Sequence, residues 1–254
     1  SFPVSENGRL QVFYAYDYTD LSDVSTESSQ YIRDDAGSVG ASSLGYVYSF
    51  DTRRTGLDPN SGVLLRFGQE FGFGDAQYTK TTAVAIAETK VYNEEITLRA
   101  TIEGGFLDYS KGQSRITDRF FLGSRIMRGF EPGGIGPRDY SQTTAADGTV
   151  TTVDDALGGN IYAVARLEAE FPIGLPSEYG ITGGAFIDYG SVWDIGRGDV
   201  TDVDYNGFTP RAVAGLSLFW DTPIGPLRFN FTEAFEAEEL DTPNNFDVTI
   251  STSF

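Results

Sequence analysis

The sequence contains no cysteine and no histidine. Without cysteine there is no disulfide framework, thiol nucleophile or thiolate metal site. Without histidine the Ser-His and Asp-His proton relays are gone, and so is the commonest transition-metal ligand. Basic residues are scarce as well: 18 Lys and Arg stand against 37 Asp and Glu, a formal net charge of −19. That balance argues against nucleic acid as a partner, because binding a phosphate backbone needs clustered cations. Long apolar runs are missing. No stretch approaches the roughly 18 residues of a transmembrane helix, and residues 1–20 lack the basic start and apolar core of a signal peptide. Neither absence bears on a barrel of strands, whose spans need only about ten residues each and alternate rather than run apolar.

What the chain has in quantity is glycine and aromatics: 30 Gly, 14 Tyr and 19 Phe in 254 residues. This mixture favours strands and turns over helices, and the length suits one large all-β domain with no evident linker. Leu10, Val12, Tyr14, Tyr16 and Tyr18 share one face of a first strand. Leu44, Tyr46, Tyr48 and Phe50 alternate in a second, and Val63, Leu65, Phe67 and Phe71 oppose Arg66, Gly68 and Glu70 in a third. A weakly alternating strand spans 77–91. Then Ile96, Leu98, Ala100, Ile102 and Phe106 stand opposite Thr97, Arg99, Thr101 and Glu103, a pattern that would bury two charges in a dry core and suits a polar lumen.

After a loop of about 110–158, further strands are read over 161–171, 181–193, 211–220, 227–232 and 246 to the last residue. The count is about ten. Short turns near 52–62, 90–95, 172–180 and 221–226 alternate with longer connections near 19–41, 110–158, 194–207 and 235–245; only the short turn at 72–76 departs from the rule. Short turns at one rim and long loops at the other describe an outer-membrane barrel, with the acidic loops 19–41 and 194–207 outside the cell. A soluble β-sandwich shares the alternation, but charged inward faces, aromatic strand ends and a terminal Phe weigh against it.

The stretch from Arg119 to Tyr140 has neither period. It is dense in Gly and Arg and carries Phe120, Phe121, Leu122, Ile126, Met127 and Phe130, side chains that a solvated loop does not normally expose. It is therefore expected to fold into the barrel interior. Two weaker signals lie elsewhere. Glu168 and Glu170 could form an acid–base pair, but carboxylates two apart on a lumen wall are usually solvated or ion-paired. Asp202 to Gly207 matches the first half of a calcium loop, while the twelfth position holds Val213 instead of Glu. The expectation is a protein without enzymatic chemistry, cofactor or metal.

Arg128-Gly129-Phe130, followed by Gly134-Ile135-Gly136-Pro137-Arg138-Asp139, resembles the BamA family of outer-membrane β-barrel assembly factors of Gram-negative bacteria, within the bacterial surface antigen superfamily. Ala156 to Asn160, Leu167 to Ile173, Phe186 to Gly190 and Trp220 to Leu227 continue the likeness in the family's order over nearly all of 42–254. Sibling transporters and two-partner secretion pores share an Arg-Gly-Phe or Arg-Gly-Tyr loop; the fit around Gly134–Asp139 and the terminal strand favours the assembly factors. The resemblance implies a sixteen-stranded transmembrane antiparallel barrel preceded by periplasmic POTRA domains. Residues 1–254 then correspond to the later strands, with the POTRA domains and early strands absent.

The functional expectations follow from that likeness. They are an insertase that folds β-barrel clients through a lateral seam, with a passive pore or polypeptide-secretion barrel as the alternative. The partners implied are outer-membrane lipids and lipopolysaccharide, unfolded client proteins and accessory lipoproteins, at a bacterial outer membrane. Glu168 and Asp188 stand where the family places the acids that lock its loop through Arg128. Phe246, Val248, Ile250 and Phe254 form the lipid-facing row that the family uses as an assembly signal.

Overall fold

The computed structural model describes residues 1–53, 61–198, 200–222 and 225–250. In chain order the elements are β1 (Phe2–Pro3), β2 (Gly8–Leu21), α1 (Gln30–Asp34), β3 (Gly37–Asp51), β4 (Ser61–Gly74), β5 (Gln77–Val91) and β6 (Ile96–Lys111). They continue with β7 (Arg138–Thr144), β8 (Val150–Ala156), β9 (Ile161–Pro172), β10 (Ile181–Trp193), β11 (Arg211–Thr222), β12 (Gly225–Glu236) and β13 (Phe246–Ile250). The protein is all-β. Among the described residues, eleven strands pair antiparallel in the order β1-β2-β3-β4-β5-β6-β9-β10-β11-β12-β13, and β7 and β8 form a separate hairpin.

Because every pairing is antiparallel, the connections fall alternately on two rims. One rim carries 22–36, 75–76, 112–160, 194–198 with 200–210, and 237–245; the other carries 4–7, 92–95 and 173–180, together with the strand ends at Asp51, Ser61, Thr222 and Gly225. The two-residue turn at 75–76 thus belongs to the long-loop rim. Asp75 bonds the backbone of Gly40 there through its own N–H (3.3 Å) and accepts from Gly40 N (3.2 Å), which ties the turn to β3.

The alternation translates directly into faces. Tyr14, Tyr16 and Tyr18 are 63–64% exposed, and Leu65, Ile102, Leu167, Leu216, Phe231 and Phe246 continue the same apolar convex surface around the sheet. An apolar surface of this extent does not remain in water, and on an antiparallel sheet it is the lipid side. The opposite, concave face carries the charges and also the core. Leu122, Met127, Phe130 and Ile135 from the β6–β9 connection pack on Tyr162 and Val164 of β9, Phe186 and Val192 of β10 and Val213 of β11. The core of this molecule is therefore the joint between a loop and the inner wall.

Three details of the sequence reading change. The sheet has eleven strands rather than about ten, because Phe2–Pro3 adds to β2 through two pairs. The stretch read as loop to 158 contains the hairpin β7–β8, with Asp147 and Gly148 in its turn and register pairs from Arg138↔Ala156 to Thr144↔Val150. The loop read over 19–41 shrinks to 22–36, since β2 runs to Leu21 and β3 begins at Gly37. At that rim Leu21, Val39 and Ala41 are interspersed with Thr, Asp, Gly and Ser, too few apolar residues for a period to stand out. Asp20 instead accepts a hydrogen bond from Ser38 Oγ at 2.8 Å. Between them α1 forms a single capped turn, with Ser29 Oγ accepting from Tyr31 N (3.2 Å).

Candidate functional site

The site is the contact between the β6–β9 loop and the wall of β9–β12. The loop is anchored at both ends before it reaches the wall. Phe120 and Gly159 exchange two backbone hydrogen bonds (2.8 and 2.9 Å), and Gly133 N donates to Leu122 O at 2.8 Å. Between these anchors, Ile126 and Met127 both donate to Gly123 O (2.9 Å), a tight turn that delivers Met127 and Arg128 inward. Met127 is fully buried and Phe130 is 1% exposed. Gly129 has φ +84°, and a Cβ there would lie 2.7 Å from Val213 Cγ1. Backbone angle and space alike demand glycine.

Arg128 enters this joint as a buried cation and is fully engaged. Its Nε donates to Asp188 Oδ2 (2.7 Å), its Nη2 to Asp188 Oδ1, and its Nη1 to Glu168 Oε2 (2.6 Å); its backbone N–H also reaches Asp188 Oδ2 (3.1 Å). The guanidinium carbon sits 3.5 Å from the centroid of the Phe186 ring. One planar fork thus meets two carboxylates and a π-face, a geometry that lysine has no means to reproduce. Asp188 is completely buried, so its charge depends on this partner.

Glu168 does more than hold Arg128. It also accepts from Arg99 Nη1 (2.8 Å) and from Arg228 Nη2, so one carboxylate gathers guanidiniums from the loop, from β6 and from β12. Arg99 in turn bonds Glu88 (2.8 Å). Arg228 Nε bonds Asn230 Oδ1 (2.7 Å), and the Asn230 amide donates to Asp247 on β13 (3.1 and 3.2 Å). A continuous polar path therefore runs from the loop to the last described strand.

A second tie joins the same regions through backbone alone. Asn244 N donates to Gly129 O (2.9 Å), Glu131 N to Thr242 O (3.0 Å) and Thr242 N to Gly134 O (2.9 Å), and Phe130 bridges to Pro243. The β12–β13 connection is pinned by a buried pair, with Arg211 donating Nε and Nη2 to Asp241 (2.8 and 2.7 Å). Within the loop, near its start, Arg119 is 5% exposed and donates to Ser114 Oγ, Ser114 O and Leu157 O. Burial pushes its guanidinium down to about 10, with Asp35 opposing the shift from a distance.

Among the remaining sequence candidates, Phe246 and Val248 are half-exposed on the convex face. Ile250 pairs with Leu227 through the backbone, and Phe254 lies outside the described residues. Glu170 accepts from Thr182 (2.7 Å) on the same inward face as Glu168, which is spent on its three arginines. Asp202 accepts from the Tyr31 hydroxyl (2.7 Å). Sequence reading did not identify Arg99, Arg228 or the Arg211–Asp241 pair; Arg99 stands directly opposite Glu168 only once the β6–β9 register is known.

Comparison with known proteins agrees with this architecture. The chain is 27% identical over 238 residues to the outer membrane protein assembly factor BamA of Neorickettsia risticii, covering 92% of this chain and 30% of that protein. A SAM50-like protein of Schizosaccharomyces pombe is 32% identical over 155 residues, 58% of this chain and 30% of that protein. The chain thus spans about a third of the length of the curated relatives it matches. In fold it is similar to the crystal structure of BamA from Haemophilus ducreyi lacking POTRA domains 1–3, with a TM-score of 0.77 over 97% of this chain and 51% of the other, at 20% identity. The Omp85 superfamily domain matches residues 1–254, and the chain belongs to the Omp85 superfamily as a BamA-like C-terminal barrel portion.

Proposed function

We propose that this chain is the later part of an outer-membrane barrel that assembles other β-barrel proteins, and that it does so by opening a lateral seam along β13 and templating client strands there. The observation that carries this reading is the double tie between the inward-folded loop and the β12–β13 region. The loop reaches β13 through Glu168, Arg228 and Asn230, and its 129–134 segment is stitched to 242–244. A loop so placed holds the edge strand in position while leaving its outer backbone groups as the place where a partner strand adds. Relatives named for assembly occur both in bacteria and as sorting and assembly machinery component 50 homologues of animals. The membrane is accordingly an outer membrane, and on the bacterial reading lipopolysaccharide and accessory lipoproteins join the client proteins as partners.

The chain is taken to act without covalent chemistry. Cysteine and histidine are absent from the sequence, and the inward carboxylate best placed for acid–base work is neutralised by three guanidiniums. The test uses the full-length protein as the only assembly factor of a cell, with a cysteine on β13 and another on the strand across the seam. Oxidative locking should stop growth and reduction should restore it; normal growth with the seam locked would overturn the lateral-opening reading. A steady ionic conductance through the purified full-length protein would instead favour a passive pore.

A further inference from the structure

The concave face holds a cavity of about 440 Å³, lined by Arg99, Arg125, Arg128, Arg166 and Arg228 together with Glu168 and the side chains of Ser124, Thr101 and Thr249. Five of the 18 basic residues of a chain with net charge −19 converge on this one space, against a single lining carboxylate. Glu88, Glu103 and Asp188 lie on the same inward face and neutralise the guanidiniums they bond, and Asp247 accepts from the Asn230 amide.

One cation is left over. Arg125 is exposed and has no ion-pair partner among the described residues. Its backbone carbonyl, by contrast, accepts from Arg166 Nη1 (3.0 Å), which draws the two residues together. Arg166 spends Nη2 on Glu103 (2.8 Å), yet its Nε is buried without a hydrogen-bond partner among the described residues. A buried N–H without an acceptor costs free energy that an incoming acceptor recovers. The lining is thus rich in donors and poor in acceptors. A group with several acceptor oxygens, a negative charge and no need of donors complements it, and guanidinium forks match the oxygens of such a group two at a time.

We propose that this cavity is a binding site for a phosphate group, taken from free phosphate or from a phosphorylated lipid headgroup, with Arg125 and Arg166 as its principal ligands. The inference does not depend on the assembly activity, because it rests on the charge and unused donors of the wall alone. The test uses the purified full-length protein in a phosphate-free neutral detergent, with inorganic phosphate as probe and phosphorus NMR or calorimetry as readout. Saturable binding is expected, weakening as salt is added. Arg125→Ala removes an exposed side chain with no ion-pair partner, so the fold should be kept, and it should weaken binding at least tenfold. Arg125→Lys should recover only part of that loss, and Arg166→Gln should reproduce it. Competition by a soluble glycerophosphate-headed lipid would assign the site to headgroups, and indifference to that lipid would assign it to free phosphate. No saturable binding, or binding unchanged by both Arg125→Ala and Arg166→Gln, would overturn the proposal.

Discussion

The concave wall differs sharply between its two ends. On β10 and β11 the inward residues Phe186, Asp188, Val192 and Val213 are at most 5% exposed, whereas on β2 the inward Gln11 and Asp17 are exposed and Phe13 is only partly covered, lying against Gly45. Both ends alternate in the same way, and β2 is paired along its length with β3 as β10 is with β9, although among the described residues the other edge of β2 meets only Phe2–Pro3. What separates them is the loop. Where it lies on the wall, apolar side chains close over buried charges such as Arg128 and Asp188, which need partners; where it does not, polar side chains meet water and little depends on any one of them. Inward position in a barrel therefore sets neither burial nor energetic weight. The covering segment sets both.

Breaking the covered end should be costly. Arg128→Ala leaves Asp188 as a buried, uncompensated charge and is expected to destabilise the loop–wall joint by about 3–5 kcal/mol; Asp188→Ala leaves Arg128 with Glu168 as its remaining carboxylate and is expected to cost less. Denaturant unfolding of the detergent-solubilised full-length protein reads this, alongside protease cleavage between residues 119 and 140. Arg128→Lys should restore only part of the loss, since a single ammonium cannot bridge both carboxylates. Phe130→Ala should fall in the same range, about 3–5 kcal/mol, from the cavity left between β11 and the 242–244 segment. Equal protease resistance of these variants and the parent would erase the distinction between the two ends.

Gly129→Ala is a gentler probe of the same joint. A left-handed backbone and the approach to Val213 should together cost about 1–3 kcal/mol, and Val213→Ala should relieve part of it, a double-mutant coupling that fails if the loop is loosely seated. At the uncovered end, Asp17→Ala is expected to stay within about 0.5 kcal/mol of the parent. In the cap above the loop, burial and then the hydrogen bond to Asp202 push the Tyr31 hydroxyl up to about 12. Its folded value lies above the ordinary value near 10. Whatever stability it contributes is thus fully present below about pH 10 and is lost as pH rises towards 12. Tyr31→Phe should flatten that slope in the proteolysis of the 22–36 connection.

Much of this was legible in the chain because strand faces are a local property. Tyr14, Tyr16 and Tyr18 announce an outward row by spacing alone, and the aperiodic run around Arg128 shows itself as covered chain by combining Phe and Met with Gly and Arg. Register is not local, which is why Arg99 showed itself only as an inward charge and neither it nor Arg228 as a partner of Glu168: nothing in sequence places them there until β6 and β12 are aligned with their neighbours. The hairpin β7–β8 did carry a signal in Asp147-Gly148 between alternating Thr and Val, which the polar composition of the loop obscured. The five-residue α1 carries too few residues for any period to show.

The stitching of Gly129, Glu131 and Gly134 to residues 242–244 joins points on the order of a hundred residues apart along the chain. Closing so large a loop is entropically slow, and its reward comes only when both partners exist. The pairing of Arg128 with Asp188 spans 60 residues in the same way, so the interior of this molecule is made by segments distant in sequence rather than by neighbours. Apart, Arg128 and Asp188 would be two solvated ions; held together, they give the wall an inside.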